Sequence, residues 1–311
     1  FLNALRIALR QKEQVELEAT ELTNILKNES DFVVFLKGAA YSLSDAKVGQ
    51  GRLYSDIDIL VNKNQITQCE QALSLFGWVG EAVNDYDDKY YRKWAHEIPP
   101  MAHAHRGTII DVHHNIVPII SKDAPTVENL AAYIVRNKFG VHVLNEAAQF
   151  VHCSVHLFRN EEYRSAFRDL LDLFYMLEDA SGEFIDEIIA TAEALGFVYE
   201  VGLALWALHY HFSLNISEAQ LNKCDVKRAL RSGFDHYLFA SVLLPQHTLL
   251  AGSKTPLKHL LAMLRGHVIK MPIHLLCYHL VVKSLRSVIE MLFGKHVFTP
   301  TTELPQDNTQ K

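Results

Sequence analysis

No Cys-x-x-Cys pair occurs in this sequence. Its cysteines, Cys69, Cys153, Cys224 and Cys277, stand far apart, which argues against a zinc knuckle or a disulfide scaffold. Isolated buried thiols in a reducing compartment are expected instead. There is no excess of positive charge either: 30 Lys and Arg stand against 36 Asp and Glu, for a net charge of −6. That balance disfavours long polynucleotides and anionic surfaces as partners without excluding them. The loops GxxxxGK[ST] and GxGxxG and the motifs HExxH and GxSxG are all missing, which removes the main rival phosphate-handling and hydrolase signatures. Uninterrupted apolar runs are missing too. The most apolar stretch, 271–293, still holds His274, His279, Lys283, Arg286 and Glu290. A spanning helix would have to desolvate those groups, so a buried or surface-seeking helix is expected, with no integral membrane association. The opening FLNALRIALRQKEQ has no cationic leader ahead of an apolar run and does not read as a signal peptide. Cytoplasm is the default location.

What is present is the balance of a globular protein, with 49% hydrophobic and 21% charged residues over 311 positions. Residues 1–29 show helical spacing through Leu2, Leu5, Leu9, Leu22, Ile25 and Leu26. Phe32 to Leu36 reads as a buried strand, Ala39 to Ala46 as a short helix, and Leu53 to Val61 as a second strand. Asn64 is placed to cap a helix that Gly77 stops. Met101 to His105 and Thr108 to His114 read as a hairpin turning at Arg106-Gly107. Beyond Pro118 to Thr126 the texture is helical, over 146–158, 162–177, 184–195, 199–212, 226–244, 256–264 and 273–293, with Gly140 to Leu144 the one strand candidate. The expected fold class is therefore α+β. A small mixed sheet flanked by helices over 30–120 follows the helical segment 1–29. An all-α domain spans 121–298, and 299–311 is expected to be a disordered tail.

The informative motif is Asp56-Ile57-Asp58. On a strand, alternate side chains share a face, so both carboxylates point one way while Ile57 and Ile59 point into a core. Paired carboxylates repel one another, and a hard divalent cation with phosphate oxygens relieves that repulsion. Asp-x-Asp alone is weak evidence, but three neighbours strengthen it. Lys37-Gly38 ends a buried strand and opens a helix, where backbone N–H groups can meet a phosphate. Arg52 precedes the Asp-x-Asp strand, where its guanidinium could clamp phosphate. Thr108-Ile-Ile-Asp-Val-His113 is a further strand on which Asp111 and His113 share one face. If the two strands are neighbours, Asp111 completes a set of three carboxylates.

FLKGAAYSL, GRLYSDIDILV, a helix ending Leu-Phe-Gly-Trp, and GTIIDVHHNI together resemble the uncharacterised nucleotidyltransferase family of the DNA-polymerase-β-like superfamily, over residues 30 to 120. FVHCSVHLF and FRDLLDLFYML extend a looser likeness into the helical region. The resemblance implies transfer of a nucleoside monophosphate from an NTP, ATP first, by a two-metal mechanism using Mg²⁺ or alternatively Mn²⁺. It implies that Asp56, Asp58 and Asp111 bind metal, and that Lys37, Gly38, Ala39, Arg52, Ser55 and His113 surround the triphosphate. The acceptor, whether small molecule, protein or RNA, is not specified. A degenerate nucleotide-binding or interaction module and an antitoxin-like regulator modifying protein or RNA remain alternatives. Two positions depart from the pattern. Gly38-Ala39 replaces the usual Gly-Ser of the superfamily, which removes a hydroxyl donor, and His114 replaces an aromatic residue.

Other histidines read as structural. His152 and His156 share a helix face and are expected to bond Asp169 or Asp172, while Arg168 could shape the cleft. His103, His105, His113 and His114 lack the spacing of a zinc site.

Overall fold

The computed structural model describes residues 2–44, 46–53, 55–224, 229–247, 255–294 and 297. The expected tail at 299–311 lies outside them. The chain runs through α1 (Leu2–Leu26), β1 (Val33–Phe35), α2 (Lys37–Ser42), β2 (Ile57–Val61), α3 (Ile66–Leu75), β3 (Trp78–Gly80), α4 (Asp85–Lys93), β4 (Met101–His103) and β5 (Ile109–His113). It continues with α5 (Val127–Ala131), β6 (Ile134–Arg136), β7 (His142–Leu144), α6 (Glu146–Arg159), α7 (Ala166–Leu177), α8 (Gly182–Leu195) and α9 (Val198–Phe212). The last helices are α10 (Glu218–Lys223), α11 (Ala229–Val242), α12 (Thr255–Lys270) and α13 (Ile273–Phe293).

The strands form one mixed sheet of seven, ordered β3-β4-β5-β2-β1-β7-β6. Strand alternation sorts its side chains between two cores. Val33, Phe35, Ile57, Ile59, Ile110 and Val112 pack with α1 and α3, through Leu22, Leu26, Cys69 and Leu73. Val34 and Leu60 face the opposite core, where α6 is central through Phe150, Val151 and Phe158 and α7, α8 and α9 pack around it. Asp58 and Asp111 alternate with the first set. They project on the α6 side, where the helical layer can close over them.

β6 and β7 lie beyond residue 120 yet belong to this sheet, with β7 parallel to β1 through Val34↔His142 and Phe35↔Val143. The helical part of the chain thus begins only after residue 144. β4 and β5 pair antiparallel through Met101↔Ile110, and Gly107 turns between them at φ 71°. That matches the expected hairpin. Other boundaries differ. α2 begins at Lys37, not Ala39. The cap expected of Asn64 comes from Asn62, whose side chain accepts from the Asn64 N–H at 3.1 Å and opens a 3₁₀ turn ahead of α3. α7 begins only at Ala166, because 160–165 is a loop, and α12 runs on to Lys270.

α13 is not a core helix. Of its residues only His279 is buried, set edge-on against Tyr90 and Trp94 of α4 at 5.0 Å between ring centres. Among the described residues no single helix is long and apolar enough to cross a membrane. Only α12 and α13 taken together pass by length and composition, and they are bent by 118°. Cys69, Cys153 and Cys224 are buried and Cys277 is exposed, all as free thiols. α12 is held close to the 160–161 loop. A Cβ on Gly266 would lie 2.4 Å from the Asn160 carbonyl oxygen, so only glycine permits this approach.

Candidate active site

β2 and β5 are parallel neighbours in a register that sets Asp58 directly beside Asp111. Asp58 is 5% exposed, and its Oδ1 accepts from the Lys37 ammonium at 2.8 Å and from His113 Nε2 at 2.9 Å. Burial opposes ionisation of this carboxyl, but Lys37 and His113 more than offset it and hold it well below the usual carboxylate range. Asp111 has no such neighbours. Its Oδ1 is buried without a hydrogen-bond partner. Burial, then the charge of Asp58, push its carboxyl up to about 7. Asp56 lies one residue before β2, half-buried, and accepts from the Ser55 hydroxyl at 3.2 Å.

Lys37 reaches Asp58 from the first position of α2, with a backbone φ of 43°. A non-glycine residue in that region is strained by roughly 1–2 kcal/mol. Burial would lower its pKa, yet Asp58 raises it further, so the ammonium stays charged. Gly38 lines the cavity in front of these groups, whereas the Ala39 side chain is 1% exposed and packs in the core behind it. Arg52 also lines the cavity, but its guanidinium is ion-paired with Asp172 and lies 5.2 Å above the Tyr41 ring. His113 is 2% exposed and braces Asp58, with Glu97 Oε2 3.2 Å from its Nδ1.

The cleft has two lobes. One, of about 320 Å³, is walled by Lys37, Arg52, Ser55, Asp56 and Asp58 on the sheet side and by Arg164, Ser165 and Arg168 on the other. Ser165 is the N-cap of α7 and makes no side-chain capping bond; the Ala166 and Arg168 N–H groups bond to the Tyr163 and Ser165 carbonyls, so it is the helix dipole rather than a row of free donors that faces the lobe. The second lobe, of about 270 Å³, shares Lys37, Asp56, His156 and Asn160 and adds His96, Glu97, Asp111 and Lys270. The first lobe sets Lys37, Arg164 and Arg168 against Asp56, Asp58, Glu161 and Glu162, so a polyanion there calls for a cation beside the carboxylates, and the second lobe holds the unsatisfied carboxyl.

His156 Nδ1 lies 3.2 Å from Asp169 Oδ2, the expected histidine–carboxylate contact. His152 is buried and held neutral, first by burial and then by the charge of Lys37. Sequence reasoning passed over Arg164, His96 and Glu97. Arg164 lies in a loop that had read as helix. His96 and Glu97 stand outside any regular element, and the isolated backbone bridge Glu97↔His113 ties them to β5.

Asp58, Asp111 and His113 bring ligand atoms within 4.8 Å of one another. The orphaned Asp111 oxygen beside a second carboxyl fits a hard divalent cation. A family model described as an uncharacterised nucleotidyltransferase matches residues 1–213. No curated protein matches the chain.

Proposed function

We propose that this chain, which belongs to the uncharacterised nucleotidyltransferase family, moves a nucleoside monophosphate from an NTP, ATP in the first instance, to an acceptor hydroxyl in a Mg²⁺-dependent reaction. Asp56, Asp58 and Asp111 would hold the ions. Bound there, Mg²⁺ would lower the acceptor pKa and neutralise the pyrophosphate leaving group. The observation that carries the reading is the orphaned Asp111 oxygen in register with Asp58.

The chain's own groups divide the remaining work. Arg164, Arg168 and the uncapped α7 terminus supply positive charge for a triphosphate in the larger lobe. Lys37 lines both lobes and neutralises Asp58, so a phosphate entering the cleft meets an ammonium already in place. His113 donates to Asp58 and fixes which way that carboxylate faces. The smaller lobe, which contains Asp111, is the place for the acceptor.

Calorimetry with ATP, with and without Mg²⁺, on wild type and Asp58→Asn tests the reading. Metal-dependent binding that disappears in the variant supports it. Equal ATP binding by both proteins, indifferent to Mg²⁺, would overturn it. Labelled NTPs incubated with cell extract would then identify the acceptor.

A further inference from the structure

Asp58 sits on one side of the His113 ring and Glu97 on the other. Asp58 is an ionised carboxylate and can only accept, so His113 Nε2 carries the proton of that bond. In the neutral ring Nδ1 is then a lone pair, and it lies 3.2 Å from Glu97 Oε2. Despite that distance, Nδ1 is buried without an aligned hydrogen bond. A lone pair facing a carboxylate is repulsive, and either a second ring proton, which burial opposes but Glu97 and Asp58 favour, or a cation between the two relieves it.

His96 adds a third donor. Its ring is 5.3 Å from that of His113, centre to centre, and its Nε2 is 4.0 Å from Glu97 Oε2. His96, Glu97 and His113 offer ligand atoms that all lie within 4.8 Å of one another. The 3.2 Å edge between His113 and Glu97 is close to the ~3.3 Å separating two ligands of a tetrahedral ion with bonds of about 2.0 Å.

We propose that His96, Glu97 and His113 form a second cation site, distinct from the Asp56–Asp58–Asp111 set and suited to a borderline transition ion, Zn²⁺ foremost. Two imidazoles and one carboxylate are a poor set for Mg²⁺, which takes oxygen ligands, and a good one for Zn²⁺. The Asp58–His113 bond is the outer half of a carboxylate–histidine–metal arrangement, which fixes both the tautomer and the ring orientation. His96 and Glu97 line the smaller lobe beside Asp111, so the site is reachable from the cleft. The proposal does not depend on nucleotide chemistry.

The test uses the full chain stripped of metal, with Zn²⁺ alone as probe, in competition with a chromogenic chelator. One equivalent of Zn²⁺ should bind, and millimolar Mg²⁺ should not displace it. Glu97→Gln, which preserves shape, and His96→Gln should each weaken binding by roughly tenfold or more. His105→Gln, an exposed turn histidine, should leave it unchanged. Co²⁺ in place of Zn²⁺ should give visible absorption bands that both site variants lose. Circular dichroism checks folding, and Glu97→Gln carries the test if His96→Gln unfolds. Lack of stoichiometric binding, displacement by Mg²⁺, or affinity unchanged in Glu97→Gln would each overturn the proposal.

Discussion

Asp58 and Asp111 are partners in register on adjacent parallel strands, yet their carboxyls are held in opposite states. Asp58 has an ammonium and an imidazole on one oxygen and stays ionised. Asp111, next to it, has an oxygen with no partner and is pushed up to about 7. The asymmetry comes from placement. Lys37 and His113 both reach Asp58 Oδ1, and neither bonds to Asp111.

The raised carboxyl of Asp111 costs stability in the metal-free protein. Its folded pKa is about 7 against 3.8 for an ordinary aspartate, so the folded state binds the extra proton. The penalty is absent below pH ~4, grows as pH rises towards 7, and is complete above that. Asp111→Asn should therefore make the protein more stable at pH 8 in chelator, by on the order of 2–4 kcal/mol, and change little at pH 4. Urea unfolding at the two pH values measures this. A variant less stable than wild type at pH 8 contradicts it.

Lys37 and Asp58 should be strongly coupled. Lys37→Met leaves a buried carboxylate with one donor fewer, at a cost of about 2–4 kcal/mol. Asp58→Asn with Lys37→Met should recover more than half of that loss, because the stranded charge is gone. A double-mutant cycle in urea gives the coupling directly. Additive single effects would mean that the ion pair does little for the fold.

Arg164 is exposed on the rim of the larger lobe, and no ion pair holds it among the described residues. Arg164→Gln should leave the melting temperature unchanged and raise the Kd for Mg·ATP about tenfold, a difference of about 1.4 kcal/mol. The gap should narrow as salt screens the charge. Identical affinity at low salt would remove Arg164 from the phosphate site.

The sequence alone was enough for the family likeness, the α+β class, the β4–β5 hairpin, and the pairing of Ile57 and Ile59 against Asp58. Each of these rests on local periodicity or on spacing along one segment, and the backbone imposes that order without help from the rest of the chain. Other features depended on contacts between distant segments. The Gly140 to Leu144 candidate is β7, but its place in the sheet and the whole of β6 came from pairing, because short strands without a clear pattern are settled by the edge they pair with. Arg52 pairs with Asp172 from 120 residues away. The 96–97 segment has no signature of its own and meets His113 only because β4 pairs with Ile109 and Ile110 alone, leaving the end of β5 open for it to bridge. Which acid keeps its proton, which cation is already engaged, and where a second ion could sit are consequences of desolvation and proximity, and those arise only once the chain has folded.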